Sequence, residues 1–298
     1  MTATYSARLL QVIGEKKSRV CVGLDPRYDR LPEELRRSVE EAQPTRTGGA
    51  PAIVRAEAYR LFCRGIIEAV APHAAAVKPQ LAFFEEAGPA ALAALVDVIH
   101  HACRQGLLVI GDAKRGDIGS TARAYAGAFL GPEAPWPVDA LTVNPYLGSD
   151  AVEPFLKEAA AGGRGVYLLA RTSNPGARDL QDLELKTGEP VWRGVAGLIA
   201  RWSAAYPGTV GAVFGATYPD ELRAGADLLP DTPLLLPGYG AQGAGAADVA
   251  FALTGANLVN SSRGVIFAFE KTGGDWREAA AEAARTMRDE LNSASGSI

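Results

Sequence analysis

The segment GDAKRGDIGST, residues 111–121, places Asp112, Lys114, Arg115 and Asp117 directly after the apolar run Leu107-Leu108-Val109-Ile110. Charges set against a buried strand are costly unless they pair or do chemistry. Asp112 and Lys114 are two apart, so on an extended strand end their side chains point the same way. Asp117 follows three residues on, where the chain should turn into a helix. Lys78 ends an earlier apolar run, AAAVKPQ at 74–80, and can reach the same pocket. Two ammonium groups and two carboxylates of alternating sign keep one another ionised. The structural alternative is a salt-bridge network beneath a loop. The three histidines, His73, His100 and His101, all precede strands and so belong at the opposite end of the molecule, in surface or packing roles. That disfavours histidine acid–base chemistry and a histidine-ligated metal, and leaves lysine as the natural proton donor.

The elements that must position these groups are legible as apolar runs separated by Ala-rich stretches. The runs fall at 19–26, 74–80, 107–114, 139–146, 165–172, 210–217, 233–240 and 257–264. They are apolar throughout rather than alternating, as parallel strands covered by helices should be. Helices are expected at 54–70, 86–105, 120–129, 149–160, 190–205, 219–227, 244–254 and 275–292. Ser149-Asp150 and Asp220 stand at their starts. About eight strand–helix repeats in 298 residues fit an α/β fold of the (β/α)8 TIM-barrel type. A doubly wound open sheet is the runner-up, but no G-x-G-x-x-G follows the first strand. Polar residues gather at the strand C-terminal ends: Asp25, Lys78, Asp112, Lys114, Asn144, Arg171-Thr172-Ser173, Thr217 and Ser261-Ser262-Arg263. In a barrel these ends form one mouth, where chemistry is done. PGYGAQGAG at 237–245, with Gln242, and Arg263 after the last strand suit a phosphate, held by backbone N–H groups and a guanidinium.

The chain reads as one domain, 1–298, with a surface insertion at 37–53 and a frayed tail at 293–298. A second exposed connection is expected at 180–190. With 30 basic and 34 acidic residues interspersed, the net charge of −4 gives no footprint for nucleic acid. Cys21, Cys63 and Cys103 sit in apolar contexts and read as small core residues of a reducing compartment. The N-terminal stretch lacks the continuous apolar core of a signal peptide. Leu9, Leu10, Val12 and Ile13 suit one face of a short helix instead. No apolar run is long enough to span a membrane, so a cytoplasmic protein is expected.

With those residues in view, DAKRGDIGST resembles the signature of orotidine 5′-phosphate decarboxylase, in the form of its second bacterial subtype. CVGLDP, VKPQLAFFE, LTVNPYLGSD, RTSNPGA and PGYGAQG resemble further family segments, in order along nearly the whole chain. The resemblance implies decarboxylation of orotidine 5′-phosphate to uridine 5′-phosphate, the last step of UMP biosynthesis, without cofactor or metal. It implies that Lys114 protonates C6, Asp112 lies against the substrate carboxylate, and Lys78 pairs with Asp112 and contacts the ribose. Asp117 and Thr121 would cross a homodimer interface into the neighbouring site. Asp25 would bind ribose hydroxyls, Ser173 would read the pyrimidine edge, and Gln242 and Arg263 would hold the phosphate. The rivals are a Mg²⁺-dependent sugar-phosphate decarboxylase or synthase of the same barrel group, a Schiff-base aldolase and a non-catalytic phosphate-binding barrel. The first of these would place a Glu where this chain has Lys78, and a cation there repels a metal.

Overall fold

The computed structural model describes residues 3–42, 51–240 and 243–296. Eight parallel strands close on themselves in sequence order: β1 (Val20–Leu24), β2 (Ala76–Pro79), β3 (Leu108–Arg115), β4 (Ala140–Val143), β5 (Gly165–Arg171), β6 (Val210–Phe214), β7 (Leu234–Pro237) and β8 (Leu258–Ser261). Every strand falls on the run expected for it, with β3 extending one residue beyond, to Arg115, and the (β/α)8 barrel is the observed architecture. β1 and β8 seal the barrel through Val20↔Val259, Cys21↔Asn260 and Val22↔Ser261.

Fourteen helices are found among the described residues. Before and around the second strand run α1 (Tyr5–Lys16), α2 (Glu33–Ala42), α3 (Ala52–Val70), α4 (Leu81–Glu86) and α5 (Pro89–Arg104). Then follow α6 (Gly119–Leu130), α7 (Ser149–Ala161), α8 (Arg178–Gln181), α9 (Val191–Ala205), α10 (Pro219–Leu228) and α11 (Ala246–Val249). The last are α12 (Arg263–Ile266), α13 (Phe269–Thr272) and α14 (Trp276–Ser295). The strands are buried on both faces because helices cover the outside and side chains fill the inside. Inside lie Cys21, Ala76, Ile110, Ala140, Tyr167 and Leu258.

α1 closes the bottom of the barrel. Its Tyr5, Leu9 and Ile13 are buried with the interior residues. The Tyr5 hydroxyl donates to that of Tyr167 at 3.1 Å, and their rings meet edge to face at 5.8 Å. Leu10, expected on this apolar face, is exposed instead, because the buried stripe of so short a helix follows i, i+4 alone.

Three other boundaries differ from expectation. Residues 37–42 of the supposed insertion continue α2, whose Leu35 and Val39 are buried, and 52–53 open α3; residues 43–50 lie outside the described part. The tail is helical to Ser295, tied by Asn292 Nδ2 to the Lys17 carbonyl. Cys103 is exposed on α5, while Cys21 and Cys63 are buried, and all three thiols are free. The 180–190 connection is largely exposed, as expected. No described helix is long and apolar enough to cross a membrane.

Candidate active site

Because the strands are parallel, their C-terminal ends share one rim, and a cavity of about 320 Å³ opens there. Lys78, Asp112, Lys114, Thr142, Ser173 and Val213 are among its lining residues. Lys78 Nζ donates to Asp112 Oδ2 at 2.6 Å, and Lys114 Nζ donates to Asp112 Oδ1 at 2.6 Å. Gln80 Nε2 adds a bond to Oδ2 at 3.1 Å, and the Thr142 hydroxyl lies 3.0 Å from Oδ1. One carboxylate therefore bridges two ammonium groups. The Lys78 and Asp112 side chains are 6% and 8% exposed, whereas Lys114 is 48% exposed. Lys78 and Asp112 are locked in the wall, and Lys114 faces the open side.

Burial pushes the Asp112 carboxyl up, but the Lys78 and Lys114 ammonium groups outweigh it and hold it well below the usual carboxylate range. Burial pulls the Lys78 ammonium down, yet Asp112 and then Asp25 outweigh that and raise it above an ordinary lysine. The pair is ionised together at neutral pH.

The backbone brings Lys114 to Asp112 by an irregularity, not by plain extended alternation. β3 and β4 pair as Gly111↔Leu141 and then as Arg115↔Val143, so residues 112–114 face Thr142 alone. Within this bulge Lys114 takes a left-handed conformation, φ +46°. For a non-glycine residue that conformation costs about 1–3 kcal/mol and persists only where the surroundings enforce it. The β-strand geometry expected for the Asp112–Lys114 pair is corrected on this point, although the two side chains do meet.

The remaining candidates are divided. Ser173 lines the cavity. Gly215 at the end of β6 allows this, since a Cβ there would lie 2.9 Å from Ser173 Cα and Cβ. Asp25 Oδ1 is buried with no hydrogen-bond partner among the described residues. Nearby, Gly23 leaves room for Ser262, whose Oγ would be 1.9 Å from a Cβ there. Asp117 does not join the charge cluster within its own chain. It is half-buried, and its Oδ1 accepts from the Ile118 N–H at 2.7 Å. Thr121 is exposed in the first turn of α6 and lines a separate hollow of about 420 Å³ with Arg115, Tyr125 and Trp136. Arg263 is exposed at the start of α12 on the mouth side. Gln242 lies outside the described residues. In the adjoining loop the Gly245 N–H is taken by Asp248 Oδ2 at 2.7 Å, so that helix start is already satisfied by its own acid.

Three strand-end residues serve structure instead. Asn144 accepts from the Tyr146 N–H and caps its own turn. Arg171 is 1% exposed, paired with Asp182 at 2.8 Å and Glu221 at 3.5 Å and stacked over Tyr218, so it ties down the loop that carries Ser173. Arg115 pairs with Glu85 of α4 and faces away from the cavity cluster. His101 is buried beside Glu68 and His100 is exposed, consistent with packing and surface roles. Sequence reasoning missed Thr142 and Gln80. Ala140 faces the interior, so the period of two on β4 pointed Thr142 inward as well.

Residues 18–273 match the profile of the "Orotidine 5'-phosphate decarboxylase / HUMPS family". An orotidine 5′-phosphate decarboxylase of Rhodopirellula baltica is 43% identical over 307 aligned positions, covering 97% of this chain and 99% of the relative. One from Haloarcula marismortui is 45% identical, covering 96% of this chain and 97% of the relative. The structure of Leishmania donovani OMP decarboxylase superposes with a TM-score of 0.75 at 30% identity, covering 97% of this chain and 99% of that one. With barrel, cavity and full-length relatives in agreement, the chain belongs to the orotidine 5′-phosphate decarboxylase / HUMPS family and is a carboxy-lyase.

Proposed function

We propose that the chain, acting as a single barrel domain, converts orotidine 5′-phosphate to uridine 5′-phosphate, the last step of UMP biosynthesis, in the cytoplasm. The observation that carries this reading is the Lys78–Asp112–Lys114 bridge at the mouth cavity. The substrate carboxylate on C6 lies against Asp112. The C6–carboxylate bond breaks, CO₂ leaves, and the electron pair stays on C6. Lys114 Nζ, charged and on the open side of the cavity, stabilises that pair and transfers a proton to C6. Its neutral amine then regains a proton from water. Negative charge on Asp112 beside the departing carboxylate makes the bound ground state less comfortable.

Around the reacting carbon, Ser173 reads the pyrimidine edge. The unpartnered Asp25 Oδ1 accepts from a ribose hydroxyl, and Lys78 donates to the ribose. Gln242 and Arg263 hold the phosphate, whose remote binding energy steadies the closed site. The chain functions as a homodimer in which the partner subunit's Asp117 and the partner subunit's Thr121 complete each site. Supporting this, Asp117 stays out of its own chain's charge cluster, Thr121 is exposed, and the apolar Ile118 and Tyr125 of the same segment are exposed as well.

The Mg²⁺-dependent alternative within the barrel group is disfavoured by Lys78, whose ammonium stands at the end of β2 where a metal-binding Glu would be expected. The test is loss of the orotate chromophore from orotidine 5′-phosphate by the purified protein in EDTA. Turnover in chelator supports the reading. Absence of turnover, or turnover only with added Mg²⁺, sinks it.

A further inference from the structure

We infer that Thr142 is the positioning residue that sets Lys114 for proton transfer, an inference that rests on the decarboxylase reading. Its side chain is buried at the rim, and its hydroxyl stands where the β3–β4 ladder breaks. Three residues of β3 face this one residue of β4, so the Ala113 and Lys114 N–H groups have no strand carbonyl to bond. Both donate to Thr142 Oγ1 instead, at 3.0 and 2.9 Å.

A hydroxyl has two acceptor lone pairs and one proton. The two amides occupy both lone pairs, so the O–H must donate. Asp112 Oδ1 at 3.0 Å and the Gly111 carbonyl at 3.5 Å are in reach. The carboxylate is nearer and charged, and it takes the proton. Thr142 thus holds both halves of the ion pair: it fixes the backbone of Lys114 in the left-handed region and aims the oxygen to which Lys114 Nζ bonds. Without that hydroxyl, two amides of the bulge are left unpaired, and the turn that points Lys114 into the cavity has nothing to enforce it.

The test compares Thr142→Val, which keeps the shape and removes the hydroxyl, with Thr142→Ser, which keeps the hydroxyl and removes a methyl. A misplacement of about 1 Å in a reacting group costs on the order of 10²-fold in rate. Thr142→Val is expected to lose about that in kcat, with KM for orotidine 5′-phosphate within a few-fold of wild type. Thr142→Ser is expected to keep kcat within about threefold even where its melting temperature falls. Equal kcat losses in Val and Ser, or a Val variant with wild-type kcat, overturn the inference. If Thr142→Val does not fold, the Ser variant decides: a tenfold loss of kcat in it counts against the hydroxyl's role, and a retained kcat supports it. An inactive wild type refutes the decarboxylase reading instead. The crystal structure of Thr142→Val then tests positioning alone: Lys114 unmoved overturns it, and Lys114 displaced upholds it.

Discussion

Replacing Asp112 with Asn keeps the shape and removes the one negative charge between two ammonium groups. Lys78 is the group left exposed to the consequence, since its side chain is 6% exposed and its Nζ bonds Asp112 Oδ2 at 2.6 Å. Breaking one side of a buried ion pair costs about 3–5 kcal/mol, because the surviving charge is still out of water. Lys114 is half exposed and adds little. At about 2.1 cal/mol/K of unfolding entropy per residue, a 298-residue chain loses about 5–8 °C in melting temperature. The pH dependence reverses with the charge. In wild type, Lys78 is raised above its unfolded value, so its contribution is present below that value and is lost as pH climbs through the higher folded one. In Asp112→Asn, burial dominates and Lys78 is depressed. The unfolded chain then binds the extra proton, and stability rises with pH between the depressed folded value and the ordinary lysine value of about 10.4. Thermal melts of both proteins from pH 6 to 10 read this directly. The melting gap should be widest at pH 6 and should narrow as pH rises. A gap under about 1 °C that does not change with pH would refute the buried-bridge argument.

The acid side gives a second outcome for wild type. Asp112 is depressed in the fold, so its contribution is present above the ordinary carboxylate pKa and erodes as pH falls below about 4; Asp112→Asn should lack that part of the acid-unfolding curve. Arg263→Ala should raise KM for orotidine 5′-phosphate at least tenfold, while leaving the affinity for the phosphate-free nucleoside unchanged; equal losses for both ligands would remove Arg263 from the phosphate site. Shared sites make a distinctive prediction: Lys114→Ala and Asp117→Asn, each inactive alone, should regain up to a quarter of wild-type activity when subunits are mixed and reassembled. No regain in a mixture shown to exchange subunits would argue that each chain is self-sufficient. Tyr5→Phe removes one hydroxyl bond to Tyr167 beneath the barrel and should cost about 1 kcal/mol of stability with kcat unaltered, checked by denaturant melts and the chromophore assay.

What could be read in advance followed from local chemistry. Strands buried on both faces are apolar end to end, so runs such as Val20–Leu24 and Leu234–Pro237 stood out without any partner being known. The polar strand ends showed where the mouth lay, and Lys78, Asp112 and Lys114 do meet there, 34 and 2 residues apart in sequence. Register was not readable. The β3–β4 bulge depends on which residue of one strand faces which of the other, and spacing along β3 cannot reveal it. The same blindness hid Thr142, whose importance comes from two amides on another strand. It also misjudged Arg171, which ends β5 like a mouth residue but is drawn into pairs with Asp182 and Glu221 on later elements. Asp117 shares the motif with Asp112 yet stays out of the cluster, because β3 ends at Arg115 and the strand's alternation no longer applies as the chain turns toward α6.

Lys114 as the donor of the proton to C6 is the step on which everything else depends. Steady-state turnover of orotidine 5′-phosphate by Lys114→Ala, set beside wild type at pH 7, measures that claim. The variant should melt within a few degrees of wild type and have lost turnover by many powers of ten. A folded Lys114→Ala enzyme that works within about tenfold of wild type would contradict it.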